Sequence, residues 1–255
     1  MTVHVRANSP IAEVVLDRPK VNAFDVDQVE RLSAGFEQLA AVDGLRAVLL
    51  CAARDVAFSA GADLGATGPL AEPTGLERWT NAARAMLDRI ADFPVPVVAS
   101  LRKPAAGGGF ELALACHFRV LATDAHLSLP EIDRGYLPSW SAAERLLPLI
   151  GPARTLDLLL SGRRVHAAEA LSVGLVHRVA DDADAEAQQL CEHIAAKPPL
   201  AVAAALEQVR LAARQDHATL RARELADLER LVRTEDTVEG VMSFFEKRAP
   251  AFKGR

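Results

Sequence analysis

Between residues 11 and 123, short apolar runs rich in β-branched residues alternate with stretches whose apolar residues recur every third or fourth position. The runs are "IAEVVL" (11–16), "RAVLLCA" (46–52), "VPVVASL" (95–101) and "FRVLAT" (118–123), with another, "LVHRVA" (175–180), further on. In the first intervening stretch, 25–42, Val26, Val29, Leu32, Phe36 and Leu39 fall at helical spacing. A second, 76–92, includes Trp79, Met86, Leu87 and Ile90. Strands separated by helices need crossover connections, so the pattern predicts an α/β fold with a largely parallel sheet and helices packed against it. From about residue 142 the strand signal nearly vanishes. Helical patterns follow in "AAERLLPLIG", "PARTLDLLLSG" and "HAAEALSVG", then over 183–196, 199–214, 217–234 and 236–248. Asp236 and Glu239 read as a capping pair for the last of these. The loop "GATGPLAEPTG" (65–75) has the turn composition of a mobile surface segment. The expected organisation is an α/β core over 1–195 and a helical region over 196–255, suited to packing on a neighbour.

Charge and cysteine usage exclude several function classes. A chain of 255 residues can bury a core without staples. Its formal net charge is −5 and no lysine or arginine block stands out, which argues against nucleic acid or an anionic membrane as a partner. Cys51, Cys116 and Cys191 are far apart with no CxxC spacing. They point to a reducing compartment rather than a disulfide framework or thiolate zinc site. The histidines show no HxxxH or HExxH spacing, so no metal is expected, and His117 and His126 read as structural. "MTVHVRANSP" has no apolar signal core, and no apolar run approaches the length of a membrane span. A soluble, cytoplasmic protein is expected.

The chemistry concentrates in "AAGGGFELALAC" (105–116), where three glycines precede an apolar helix holding one carboxylate, Glu111. A strand, a glycine run and a helix expose backbone N–H groups at the helix N-terminus, able to hold a phosphate or an oxyanion. The run matches neither G-x-G-x-x-G nor G-x-x-x-x-G-K-[ST], which argues against a nucleotide cradle. A second glycine segment, "FSAGADLG" (58–65), follows a strand and offers further N–H groups. Two turns with one donor each are what a tetrahedral or enolate oxyanion needs. Glu111 begins one helical turn after Gly108, and Glu131 follows the mostly apolar "LSLP". Poorly solvated carboxylates beside an oxyanion site equip a protein for proton transfer at the carbons of a thioester. Each element alone has a plainer reading. Glu111 can face water, Gly107 to Gly109 can form a tight turn, Glu131 can complement a helix dipole, and Trp140 can be a core aromatic.

Taken in order along nearly the whole chain, these segments resemble the enoyl-CoA hydratase/isomerase (crotonase) family. The matching stretches are "LDRPKVNAF" (16–24), "FSAGADL" (58–64), "AAGGGFELALAC" (105–116), "LPEI" (129–132), "LLLSGRRVHAAEALSVGLVHRV" (158–179) and "EGVMSFFEKRAPAFK" (239–253). The resemblance implies a crotonase-like spiral of ββα-type repeats with a helical C-terminal trimerisation region. It puts the oxyanion-hole N–H groups at Ala62 and Gly108 and the catalytic glutamates at Glu111 and Glu131. It also implies CoA contacts at Lys20, Val21, Ala60, Asp63, Phe244 and Lys247, the last two reaching CoA bound mainly by a neighbouring subunit. Trp140 falls at the acyl pocket. The implied activity is that of a hydro-lyase on an acyl-CoA thioester. An enoyl isomerase, or a biosynthetic dehydratase using a CoA or carrier-protein thioester, is the alternative, and a non-catalytic scaffold is a reading of a different class. No cofactor beyond the CoA of the substrate is implied, and the assembly would be a homotrimer or a hexamer of paired trimers. Two departures bear on the acyl group and the turn: "LRKPAAGGG" replaces the family's Asn-Gly turn, and "PSWSAA" (138–143) replaces a glycine-rich segment. His117 stands where the family usually has Asp.

Overall fold

The computed structural model describes residues 3–53, 56–63, 65, 73–212, 226–228 and 230–255. Strand β1 (Val3–Arg6) pairs antiparallel with β2 (Ile11–Leu16), and β2 pairs parallel with β3 (Ala47–Ala52). Between β2 and β3 the chain forms α1 (Val26–Ala40), started by Asp25, whose carboxylate accepts from the Gln28 N–H. Val29, Leu32, Phe36 and Leu39 of the expected apolar stripe are buried, whereas Val26, in the first turn, is exposed.

The same unit then repeats. After β3 comes α2 (Pro73–Ala91), which buries Trp79, Met86, Leu87 and Ile90. Then follow β4 (Val97–Leu101), β5 (Ala105–Ala106) and α3 (Gly108–Ala115), and next β6 (Phe118–Ala122) and β7 (His126–Ser128). Later come α4 (Ala142–Ser161), β8 (Val165–His166), α5 (Ala167–Ser172), β9 (Arg178–Ala180) and α6 (Ala183–Ala195). The main sheet runs β1-β2-β3-β4-β6-β9 and is parallel from β2 onward. Every residue of β4 is buried, as a parallel strand covered on both faces requires. After each of these inner strands the chain steps into a second, narrower layer. Phe24 bridges Ala62, Ser59 bridges Ala105, and β5, β7 and β8 form a small sheet. Strand, inner-layer segment and helix thus recur as a coil, the expected ββα spiral. Its inner layer holds both glycine segments.

The structure corrects several local expectations. Of "LVHRVA" only Arg178–Ala180 is strand, because the Leu175 and Val176 N–H groups turn back to the Ala170 carbonyl at the end of α5. The two helical patterns after residue 142 merge into α4 across a kink at Gly151, whose φ is 72°. Helix α6 packs on β3, β4 and β6. Beyond it, α7 (Pro199–Ala212) buries only Ala204 among its described residues. The final helix, α8 (Glu235–Glu246), is capped by the Thr234 hydroxyl and not by an Asp236–Glu239 pair. Asp236 is instead buried, receiving the N–H groups of Lys253 and Gly254, and Glu239 pairs with Arg248. Most of the 65–75 loop and of the 217–234 helix lies outside the described residues. The three cysteines are free and buried. Among the described residues no helix is long and apolar enough to cross a membrane.

Candidate active site

Gly61 has φ 84°, and a Cβ there would stand 2.7 Å from the Gly108 nitrogen and 3.0 Å from the Ala106 carbonyl oxygen. Only glycine allows this conformation and this approach. The 61–62 turn is thereby pressed against the start of α3. Phe24 holds the turn from the other side, donating its N–H to Gly61 O at 2.7 Å and accepting from Asp63 N–H at 2.8 Å. The Ala62 N–H takes no part in that bridge. The Gly108 N–H, the first of α3, has no acceptor within its helix. Among the described residues neither group donates to a protein acceptor. Two adjacent turns thus each offer one uncommitted N–H.

Glu111 follows on α3 and is only 1 % exposed. Its Oε1 accepts from the Trp140 N–H at 2.8 Å and the Ala142 N–H at 2.9 Å. Ser141, between these donors, has φ 87°, a left-handed conformation that directs both neighbours' N–H groups to one oxygen. Ser141 makes no side-chain cap, so Glu111 serves as the acceptor for the N-terminus of α4. Helix α2 steadies the segment, with Arg84 Nε donating to Ser139 O at 2.8 Å and Asp88 pairing with Arg145 at 2.7 Å.

Glu131 lies on a 3-10 turn, Pro130–Arg134, directly after β7. It is 6 % exposed, and its buried Oε2 has no hydrogen-bond partner among the described residues. Gly107, at φ 53°, passes so close that a Cβ would sit 2.5 Å from Glu131 Oε1. Burial, reinforced by the Glu131 charge, pushes the Glu111 carboxyl up to about 7, against the opposing pull of its two N–H donors. Burial likewise raises Glu131. Near neutral pH Glu111 is therefore poised between its two protonation states, and Glu131 is shifted in the same direction.

Both glutamates line one cavity of about 790 Å³, together with Val21, Ala60, Ala62, Asp63, Gly108 and Trp140. Eight of the residues expected in the site are therefore gathered. Lys20, Phe244 and Lys247 do not line it; Phe244 is 78 % exposed on α8, and Lys247 ends that helix. The Asp63 carboxylate is engaged by Arg18 at 2.8 Å and by the Gly65 N–H, so it braces the turn. Trp140 is both core and wall. It is 3 % exposed, packs edge-on against Phe24 and Trp79 with centroids 5.8 and 5.4 Å away, and lines the cavity. Its ring also occupies the space above Gly108, where a Cβ would meet it at 2.5 Å. His117 lies away from the cavity and accepts the Val97 N–H.

Sequence reasoning missed Trp79, Tyr136 and Arg134 as cavity residues. The helical periodicity of α2 marked Trp79 only as core. The backbone donors at 140 and 142 have no side-chain signature. No group of three or more His, Cys, Asp and Glu side chains is placed to hold a metal ion among the described residues.

Comparison with known proteins gives the family. The profile of the enoyl-CoA hydratase/isomerase family matches residues 6–255. A carnitinyl-CoA dehydratase from Salmonella typhi is 35% identical, over 100% of this chain and 99% of its own length. The crystal structure of an enoyl-CoA hydratase from Bacillus anthracis superposes with a TM-score of 0.94 at 32% identity, covering 100% of both chains. One from Mycobacterium smegmatis gives 0.93 at 26%, covering 99% of each. The chain belongs to the enoyl-CoA hydratase/isomerase family.

Proposed function

We propose that this enzyme is a hydro-lyase adding or removing water across the C2–C3 bond of an acyl-CoA thioester, with Glu111 and Glu131 as its proton-transfer pair. The observation carrying this reading is the pair itself: two poorly solvated carboxylates on one cavity, beside two uncommitted N–H groups. The thioester oxygen would accept from Ala62 and Gly108. In hydration, one glutamate takes a proton from water as the water oxygen bonds to C3. The C2–C3 π pair moves toward the carbonyl to give an enolate, which the two N–H groups stabilise. The other glutamate then protonates C2. Dehydration is the reverse, and no group beyond the CoA of the substrate enters either direction. One ionised and one protonated carboxyl are needed, and a Glu111 carboxyl near 7 can take either form at neutral pH.

CoA would run out over Val21 and Ala60 past the Asp63 turn, with Lys20 at the surface beside them. Phe244 and Lys247 would come from a neighbouring copy in a homotrimer or paired trimers. The exposed Val238, Val241, Phe244 and Phe245 on α8 favour that arrangement. In it the chain would divide into a core over 1–195 and a helical region over 196–255 that packs on the neighbour. Buried free thiols suit a reducing, cytoplasmic setting. The test is to incubate a short enoyl-CoA with the enzyme in ¹⁸O-labelled water. A 3-hydroxyacyl-CoA carrying one labelled oxygen is expected. A migrated double bond with no label would replace the hydro-lyase by an isomerase.

A further inference from the structure

Arg119, the second residue of β6, is 3 % exposed, and among the described residues no carboxylate pairs with it. Its guanidinium donates only to backbone carbonyls, from Nε to Leu175 O at 2.7 Å and from Nη1 to Cys116 O at 2.7 Å and Ala113 O at 3.3 Å. Ala113 lies in the last turn of α3 and Cys116 is its C-cap. The titratable neighbours are neutral near pH 7: burial holds His117 and His177 at about 4 and the Cys116 thiol at about 12. Arg145, another guanidinium near Cys116, is by contrast neutralised by Asp88.

A buried cation without a counter-ion is among the costliest groups a core can hold, and neutral donors would satisfy the same carbonyls. The charge itself therefore calls for a reason. At the opposite end of α3 is the Gly108 N–H. The C-terminal carbonyls of a helix carry partial negative charge, which offsets part of the positive field at its N-terminus. A cation seated on those carbonyls cancels the offset.

We propose that Arg119 is a positioning residue for the oxyanion site, its charge on the C-terminal carbonyls of α3 strengthening the field that the N-terminus presents to the thioester oxygen. The proposal rests on the assignment of the Gly108 N–H as an oxyanion donor. The helix is about 12 Å long at 1.5 Å per residue, which puts the charge roughly 14 Å from the oxygen. At an effective dielectric of about 20, such a charge favours the enolate by about five- to tenfold.

The test is spectroscopic. An aryl-conjugated enoyl-CoA absorbs at longer wavelength when its carbonyl is polarised, so the red shift on binding reports the field with no turnover. Wild type should show the shift. Arg119→Gln, which keeps donors but loses the charge, should lose about half of it, with kcat down about five- to tenfold and KM changed less than about twofold. Arg119→Lys, which keeps the charge but not the forked donors, should retain most of it. A folded Arg119→Gln with the full shift overturns the proposal. Should that variant not fold, Arg119→Lys decides: a folded lysine variant that has lost the shift overturns it, and a retained shift supports it. No shift in wild type would instead overturn the Gly108 assignment, and this inference with it.

Discussion

Trp140→Ala separates the two roles that the structure gives this residue. The indole is packed against Phe24 and Trp79, and burying a tryptophan this fully and then truncating it costs about 3–5 kcal/mol. One side of the ring borders the 790 Å³ cavity, so part of the space vacated opens to an existing void, which favours the lower figure. About 3 kcal/mol corresponds to roughly 6–12 °C in Tm for a chain of this size. The backbone N–H of residue 140 still reaches Glu111, so the chemistry of a short acyl group should be largely preserved. The enlarged pocket should shift kcat/KM toward longer acyl chains by about 1–3 kcal/mol, or roughly 10- to 200-fold. Calorimetry and the ultraviolet absorbance of a series of enoyl-CoA thioesters of increasing length read the two effects independently. A packing partner sharpens the test. Gly108→Ala alone should destabilise by about 1–3 kcal/mol, since its Cβ would meet the indole at 2.5 Å, but should be nearly neutral in the Trp140→Ala background. An unchanged chain-length profile would return Trp140 to the core alone. Additive effects of the two substitutions would refute the packing argument.

Other expected outcomes follow from single features of the site. Glu111 has a folded affinity near 7 against an ordinary 4.5, so its contribution to stability is greatest below about pH 4.5 and falls as pH rises through 7. Glu111→Gln keeps an acceptor for the two N–H groups. In urea titrations it should exceed wild type by about 3 kcal/mol at pH 8 and converge with it near pH 4; a constant difference would mean the carboxylate is not strained by burial. Ala62→Pro removes an N–H that no group among the described residues accepts and should lower kcat by roughly 10²–10³ with the fold retained on circular dichroism, whereas near-normal kcat would dismiss that donor. Lys247→Glu should raise KM for CoA esters more than for thioesters lacking the 3′-phosphate, and deletion from residue 236 onward should weaken both assembly and CoA affinity. A fully active monomer in light scattering, or equal effects on the two thioester types, would contradict the CoA role of the C-terminal region.

Much of the architecture was legible because β-branched runs and amphipathic spacing report burial directly. The full burial of β4 is what a short continuous apolar run encodes, and the apolar stripes of α1 and α2 are what a period of 3.6 encodes. What remained hidden depends on backbone. That Glu111 caps α4 through two N–H groups 29 and 31 residues away follows from a left-handed Ser141, which has no local sequence signal. The capping of α8 was misread for a related reason. Asp236 and Glu239 have the right spacing, but both are committed to tertiary partners, and Thr234 does the work instead. Phe244 and Lys247 lie off the cavity, at the exposed end of α8, and only the proposed neighbouring copy would bring them to a CoA site.

The central claim is that Glu111 and Glu131 together move the protons of water addition. The most direct measurement is the steady-state rate of loss of enoyl-thioester absorbance with wild type, Glu111→Gln and Glu131→Gln, each verified as folded and able to bind CoA esters. Each single variant should lose at least about 10²-fold in kcat with little change in KM, and the double variant should lose no more than a modest further factor, as groups acting in one step do. Full turnover in either single variant would contradict a two-glutamate mechanism.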